Sequence, residues 1–543
     1  MTSADIIFVG KNIVTMTEAA PSARALAVLD GRILAVGEEA AVMAARGPDT
    51  RVVDLGSRAL LPGFMDGHSH FINAVRFSTW ANVSSPPVGK AEDIAGVVRL
   101  LEEHRQKRGL RPGEWLMAYG YDGTTLTDGR ELTRADLDPH FPDNPVLILH
   151  VSLHGAVLNT AGFKAVGFDL LAPTPPGGMT ARLPDGKEAA GLVMEHSFIP
   201  IYLKMPTATE DEQLEGFAAA QAHYAANGYT TTQDAPMEPA TRPLYHRAAR
   251  EGRLVIDIVG YVNWLEFPQI LEKHAEPFGQ GYDRRFRIGG VKIVADGSPQ
   301  GKTAFWSRPL LTPGPGGETD WHGEPNVTPE DLDRLVKLAY DNGIQVLTHC
   351  NGDAAIEMML EAHEKAGAPQ GRRTVIVHSQ FVRPDQLERY VRYGMLPSFF
   401  TNHTFFWGDV HVENLGRERA FFLSPARTAR AMGIRFTNHS DFAVTPLDPM
   451  FILWTSVNRV SRSGTIIGPD ERLTVWDGLR ALTIDAAFQY GEEREKGSLE
   501  AGKLADLVVL DANPLEVPAA NLKDIRILET FKEGRSIHRA ADS

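Results

Sequence analysis

The 543-residue sequence holds one cysteine, Cys350. A single thiol closes no intrachain disulfide and cannot build a cysteine-based zinc site. Any metal must then be held by histidine, carboxylate or lysine. No run of about eighteen apolar residues occurs, and no basic stretch precedes an apolar one near Met1. A transmembrane helix and a secretory leader are therefore not expected, and a cytoplasmic location is. Positive charge is scarce: 55 Lys and Arg face 69 Asp and Glu, a net charge of -14. That deficit argues against nucleic acid or an anionic membrane as the main partner. No arginine cluster suggests itself as a clamp for a phosphate or a dicarboxylate. What is abundant is core material, since 43% of residues are hydrophobic. Length alone suggests two to four domains, and one barrel with appendages fits equally.

The most informative stretch is Leu60-Leu61-Pro62-Gly63-Phe64-Met65-Asp66-Gly67-His68-Ser69-His70-Phe71. It reads as a buried strand whose last residues emerge into a polar site. Residues two apart on a strand share a face, so His68 and His70 are predicted to offer two imidazoles to one metal ion. Taken alone, the pair is equally compatible with two solvated histidines on a loop.

The segment Leu61 to His70 resembles the first metal motif of the amidohydrolase superfamily of metal-dependent hydrolases, and later segments resemble its N-substituted formamide deformylase-like branch. The likeness runs from about Ile6 to about Asn513. It implies an α/β fold: a (β/α)₈ TIM-like barrel over 61–494, a small composite β-sandwich from 1–60 and 495–543, and an insertion over 75–228 covering the active-site mouth.

The chain in order supports this organisation. Ile6–Val9, Ala25–Leu29 and Arg32–Val36 read as short strands, with Asp30-Gly31 as a hairpin turn. Gly497–Asp511 has the same character. From Phe71 to about Tyr229 the chain is long, irregular and proline-rich, which requires structure of its own. Pro145–Leu149 followed by His150–Asn159 resembles the family's inserted domain. Gly177-Gly178-Met179 and Gly191-Leu192-Val193 mark turns of a mobile lid. From about Glu210 to Gly491 helices alternate with apolar strands, the sign of parallel βα units, and counting from Leu60 gives eight strands. Thr328-Pro329-Glu330-Asp331 is a helix start with its cap, its proline and its acidic first turn.

Polar residues recur where these strands finish: His68, His70, Lys292, His349, His378 and Asp441. The C-terminal rim of a parallel barrel is where such residues converge. Imidazoles plus a carboxylate suit Zn²⁺, one or two per chain, with Mn²⁺, Fe²⁺ or Ni²⁺ as alternatives. Lysine as an ammonium cannot bind a cation. In similar proteins the lysine at this strand is carboxylated and bridges two metals. The resemblance then puts Lys292, His68, His70 and Asp441 on one metal and His349 and His378 on the other. The alternative is a buried Lys292 paired with Asp296 or Asp441 beside a single metal.

The implied chemistry is hydrolysis of a non-peptide C–N bond. A metal lowers the pKa of water toward about 7, Asp441 acts as general acid and base, and His378 or His154 stabilises the oxyanion. His154 resembles a family position on the insertion, and a structural role is its alternative.

Phe305-Trp306, Phe405-Phe406-Trp407, Trp80 and Trp115 are placed in loops that would crowd the rim and favour an apolar or aromatic substituent, with loop packing as their other reading. The expected substrate is a small N-substituted amide or formamide. A carbamate, cyclic amide or lactone is the alternative, and a non-catalytic metal- or ligand-binding barrel the competing class. Metal-assisted isomerisation or decarboxylation would use the same ligands. Gly297–Thr303 has three residues between its glycines where a phosphate loop has four, and reads as a rim loop. Cys350 reads as a buried small hydrophobe. His403 and His439 read as packing or surface residues before substrate or supporting roles. A homodimer is compatible with the family, and no sequence feature fixes it.

Overall fold

The computed structural model describes residues 3–206 and 208–541; the expected domain limits at 1–2 and 542–543, and position 207 of the insertion, lie outside them. The centre of the chain is an all-parallel eight-stranded sheet in sequential order. Its strands are β1 (Phe64–Met65), β2 (Tyr229–Met237), β3 (Asp257–Asn263), β4 (Phe286–Val294), β5 (Gln345–Cys350), β6 (Val375–His378), β7 (Leu396–Phe399) and β8 (Thr437–Asn438). Parallel neighbours cannot be joined by a hairpin, so each connection needs a long crossover, here mostly helical.

The helix starts follow the sequence. Thr209 and Glu212 form a capping box ahead of Glu210–Ala226, and Thr328 caps Pro329–Asp341 by accepting the Asp331 N–H. The sheet curls until its outer strands face each other: the Asp441 N–H donates to the His68 carbonyl at 3.2 Å, and a Cβ at Gly67 would fall 2.5 Å from the Thr437 hydroxyl. The eighth strand is shorter than the run from Ile434 suggests. Asp66 accepts from both the backbone and the hydroxyl of Ser440, which pulls the chain out of the ladder just before Asp441.

Both chain ends meet in a second eight-stranded sheet, where Leu507–Leu510 runs antiparallel to Ala59–Pro62. Asp30 and Gly31 both have positive φ, as a two-residue hairpin turn requires. Phe8 and Phe531 touch at 5.3 Å although three strand spacings separate their strands, about 14 Å in a flat sheet. The expected sandwich of the two ends is thus one rolled sheet, closed over Phe8, Leu26, Leu60, Leu507 and Phe531.

Between β1 and β2 lies a six-stranded mixed sheet with its own core of residues such as Val97, Leu116, Ile148 and Val157. Of the glycines expected to mark a lid, Gly177 lies in a turn, while Gly178 and Gly191 sit in the paired strands Gly178–Arg182 and Ala189–Glu195. Gly191 is there because a Cβ would fall 3.0 Å from the Arg134 amide nitrogen. Among the described residues, no helix is long and apolar enough to cross a membrane.

Candidate metal centre

Six side chains singled out in the sequence converge where the parallel strands end. His68 and His70 follow β1, Lys292 lies in β4, His349 in β5, His378 ends β6 and Asp441 follows β8. The two leading histidines arrive differently from the expectation of alternate residues on one strand. The strand stops at Met65, and His70 is already the N-cap of helix Phe71–Phe77. They still share a target, with Nε2 of His68 and of His70 lying 3.5 Å and 3.2 Å from Asp441 Oδ1.

Asp441 also belongs to a second group, with His378 and His439. His378 Nδ1 lies 4.0 Å from Asp441 Oδ2 and 3.2 Å from His439 Nε2. His439 is fully buried, its Nδ1 2.9 Å from the Ser398 hydroxyl, so the packing or surface reading understates it. His349 stands one step back. Its Nδ1 is 3.0 Å from His378 Nε2, and its Nε2 lies 2.9 Å from the Asn351 side-chain nitrogen and 3.2 Å from the Gly297 carbonyl.

Gln233 was not found from the sequence. Its Nε2 donates to the Gly67 carbonyl and the Tyr490 hydroxyl, both at 3.2 Å, so its Oε1 accepts the His68 Nδ1–H at 2.7 Å. That fixes the tautomer and leaves the His68 Nε2 lone pair facing inward, the usual work of a group behind a metal-ligating histidine.

The electrostatics suit a cation. Burial, then the Lys292 charge, holds His68 and His349 well below the ordinary histidine value; burial and neighbouring His349 do the same to His378. Burial, against the pull of Asp441 and with help from the Lys292 and His70 charges, brings His439 to about 3. These rings are neutral at pH 7, the form that donates a lone pair. Burial works to raise Asp441, but the His70 hydrogen bond and the surrounding imidazoles override it and keep the carboxylate ionised. A neutral-imidazole and carboxylate set with ligand atoms within 4.8 Å of one another fits a divalent ion. His378 and Asp441 have φ of 69° and 49°, left-handed backbone costing about 1–3 kcal/mol each for non-glycine residues.

Lys292 is 1% exposed, and its Nζ lies 3.1 Å from His68 Nε2. Among the described residues it has no carboxylate within ion-pair distance, so the alternative of a pair with Asp296 or Asp441 is not what the structure contains. Burial, against the pull of Asp441, brings it down to about 7. Asp296 is occupied instead with the backbone N–H groups of Phe305, Asn351 and Gly352.

A cavity of about 370 Å³ opens over these residues. The insertion supplies one wall, including Leu149, Leu153, His154, Glu195, Phe198 and Tyr202. His154 Nδ1 is 3.1 Å from Glu195 and its ring 6.2 Å from that of His349. Of the aromatics expected at the rim, Trp80 lines this cavity. Trp407 is buried and donates to Asp122, Phe405 and Phe406 pack on Phe451, Trp306 packs on Phe381, and Trp115 joins the insertion's core. Gly297–Thr303 is the expected rim loop, presenting the Gly297 carbonyl to His349, and Cys350 is buried with its thiol pushed up by burial. A larger cleft of about 780 Å³ lies at the opposite ends of the strands, where charges satisfy one another, as Lys496 does Asp257 at 2.5 Å.

The model of the amidohydrolase family (Amidohydro_3) matches residues 51–538. The chain is 27% identical to N-substituted formamide deformylase of Arthrobacter pascens, covering 98% of this chain and 97% of that one. It is 26% identical to the putative amidohydrolase YtcJ of Bacillus subtilis, covering 98% and 99%. Among solved structures, an uncharacterized metal-dependent hydrolase of Pyrococcus horikoshii superposes with a TM-score of 0.74 at 23% identity, over 98% of this chain and 100% of that one. Its counterpart from Pyrococcus furiosus gives 0.72 at 23%, over 94% and 100%.

Proposed function

Because the chain belongs to the amidohydrolase family, and is by that membership a hydrolase of carbon–nitrogen bonds, we propose that it cleaves a non-peptide amide, an N-substituted amide or formamide with an apolar or aromatic substituent. The reading rests on one observation: His68, His70, His378 and His439 gather around the single carboxylate of Asp441 at the floor of a cavity with an apolar wall. The full-length relative named for N-substituted formamides supports the substrate class. On this reading the parallel sheet closes as a (β/α)₈ barrel over 61–494, with 75–228 as a domain inserted across its mouth and 1–60 with 495–543 as the composite β-domain.

His68, His70, Asp441, His378 and His439 would hold zinc, with Lys292 and His349 completing a two-metal site if the lysine is carboxylated. The ion supplies Lewis acidity, which brings water toward neutral pKa and polarises a carbonyl. Asp441, ionised and facing both imidazole groups, accepts the proton of the attacking water and returns it to the departing nitrogen, whose C–N bond breaks as the C–O bond forms. His154, whose pKa the Glu195 charge and hydrogen bond raise against burial, donates a hydrogen bond to the oxygen where negative charge gathers. Gln233 keeps His68 in the ligating tautomer. The insertion's apolar wall receives the nitrogen substituent and excludes water.

Elemental analysis of protein purified without chelator, beside an amine-release screen over N-substituted formamides, amides, carbamates and lactones, tests this. One or two ions per chain and metal-dependent release of amine are expected. Absence of bound metal, or turnover of a lactone with every amide inert, overturns it.

A further inference from the structure

Past His70, the metal cavity has a second polar feature that the chemistry above does not use. Arg76, at the end of helix Phe71–Phe77, donates from Nη1 to Glu238 Oε1 at 2.6 Å and from Nη2 to Oε2. Tyr202, on the insertion's helix Ile199–Tyr202, donates its hydroxyl proton to the same carboxylate and accepts from Arg76 at 3.1 Å. The arrangement ties three elements together: the helix after the first histidines, the turn just past β2 and the insertion. The side chains of Arg76 and Glu238 remain 20% and 26% exposed, and all three residues line the cavity.

The bidentate geometry decides what the cavity accepts. A guanidinium facing a pocket is normally the group that captures a substrate carboxylate. Here both edge donors of Arg76 are taken by Glu238, and the Tyr202 hydroxyl proton is directed there too. His154 likewise has its Nδ1 taken by Glu195. The lining carboxylates are Glu195, Glu238 and Asp441. The charge of a divalent ion belongs to the Asp441 end, and at the end beyond His70 the Arg76–Glu238 pair is neutral as a whole, its cation already committed. An entering carboxylate would lose water there, and the one cation beside it is already paired, so nothing offsets the loss unless the Arg76–Glu238 pair opens. Losing water costs a neutral group far less, and a cationic one can have its loss offset by the Glu238 carboxylate. The rest of that wall is apolar, with Phe77, Trp80, Leu149, Leu153, Phe198 and Ile199.

We infer that Glu238, held by Arg76 and Tyr202, is the specificity-determining residue that bars amides with an anionic nitrogen substituent and admits those whose substituent is neutral or cationic. The inference rests on the amide reading above for its substrate. Its structural content is the occupied guanidinium.

The test compares two nearly isosteric probes, N-(4-carbamoylbenzyl)formamide and N-(4-carboxybenzyl)formamide, on the zinc-loaded protein, by kcat/KM and, independently of turnover, by Kd from calorimetry. The wild type is expected to favour the carbamoyl probe by about 30-fold or more, the scale of leaving a desolvated charge without a partner. Glu238→Gln keeps the shape and uncovers the guanidinium, so the preference should shrink about tenfold or more. Tyr202→Phe leaves the carboxylate in place, so the preference should persist despite the lost hydroxyl. A wild-type preference within about threefold of unity, or one that Glu238→Gln leaves unchanged, overturns the inference. Discrimination in Kd without cleavage of either probe would uphold it while removing the amide reading. Failure of both probes to bind would overturn both.

Discussion

Lys292→Met separates the cost of a buried amine from its use. The lysine is 1% exposed, and burial brings its pKa from 10.5 to about 7. At about 1.4 kcal/mol per pH unit, that drop costs the metal-free fold about 4–5 kcal/mol while the amine is charged in both states. The sign follows directly. Below pH 7 both states hold the proton and the cost is complete. Between about 7 and 10.5 the unfolded chain keeps a proton that the folded chain has shed, so stability rises with pH, and above 10.5 the cost is gone. Methionine matches the length without the charge. Chelator-treated Lys292→Met in CO₂-free buffer should therefore unfold at higher denaturant than wild type at pH 6, with the gap closing toward pH 10. A variant no more stable at pH 6, or a gap widening with pH, would refute a buried lone amine. The same amine is half deprotonated near pH 7, the form that adds CO₂. With zinc and ¹³C-bicarbonate, wild type should show a carbamate carbon resonance, stronger at pH 8 than at pH 6, that Lys292→Met lacks.

Three further outcomes follow from the site. Gln233→Leu removes the acceptor of the His68 Nδ1–H and should weaken metal binding about 10- to 100-fold, read by competition with a chelator. Asp441→Asn removes the base and should lower kcat for amine release by about 10²- to 10⁴-fold; a smaller loss in a metal-loaded variant would move the proton transfer elsewhere. In His154, burial lowers the pKa and the Glu195 charge and hydrogen bond more than offset it, so Glu195→Gln should shift the basic limb of kcat/KM to lower pH. An unmoved limb would take a protonated His154 out of the reaction.

The parallel sheet and its site were legible because strand periodicity and strand-end chemistry leave strong local marks. Eight apolar segments separated by capped helices give a strand count, and a polar residue closing such a segment falls on one rim whatever its sequence distance from the others. Asp30-Gly31 and Thr328-Pro329 likewise declared the turn and the helix start they form. Less legible were features set by contacts between distant segments. The roll of the chain-end sheet depends on Phe8 meeting Phe531, which neither segment announces. The rim aromatics misled for the same reason: Trp407 looks like a substrate wall until Asp122, from the insertion, takes its indole N–H.

His439 shows where the sequence carried more than was read from it. Residues 438–441 are Asn-His-Ser-Asp, and His439 stands two residues before Asp441 as His68 stands two before His70. The spacing argument that joined the first pair applies to the second, with Ser440 pointing away to Asp66 as Ser69 points away to Tyr224. The two segments are also physically joined, by the Asp441 N–H on the His68 carbonyl and the His70 N–H on the Phe442 carbonyl. The residues that follow the first and last strands of the curled sheet are thus joined, and the paired donors of each face one another. Glu238 had no such signal. It becomes a candidate only when Arg76, 162 residues earlier, is seen pairing both terminal nitrogens of its guanidinium with it. The donors follow a local rule, whereas the pairing proposed to set selectivity joins residues 162 apart and leaves no mark on either segment alone.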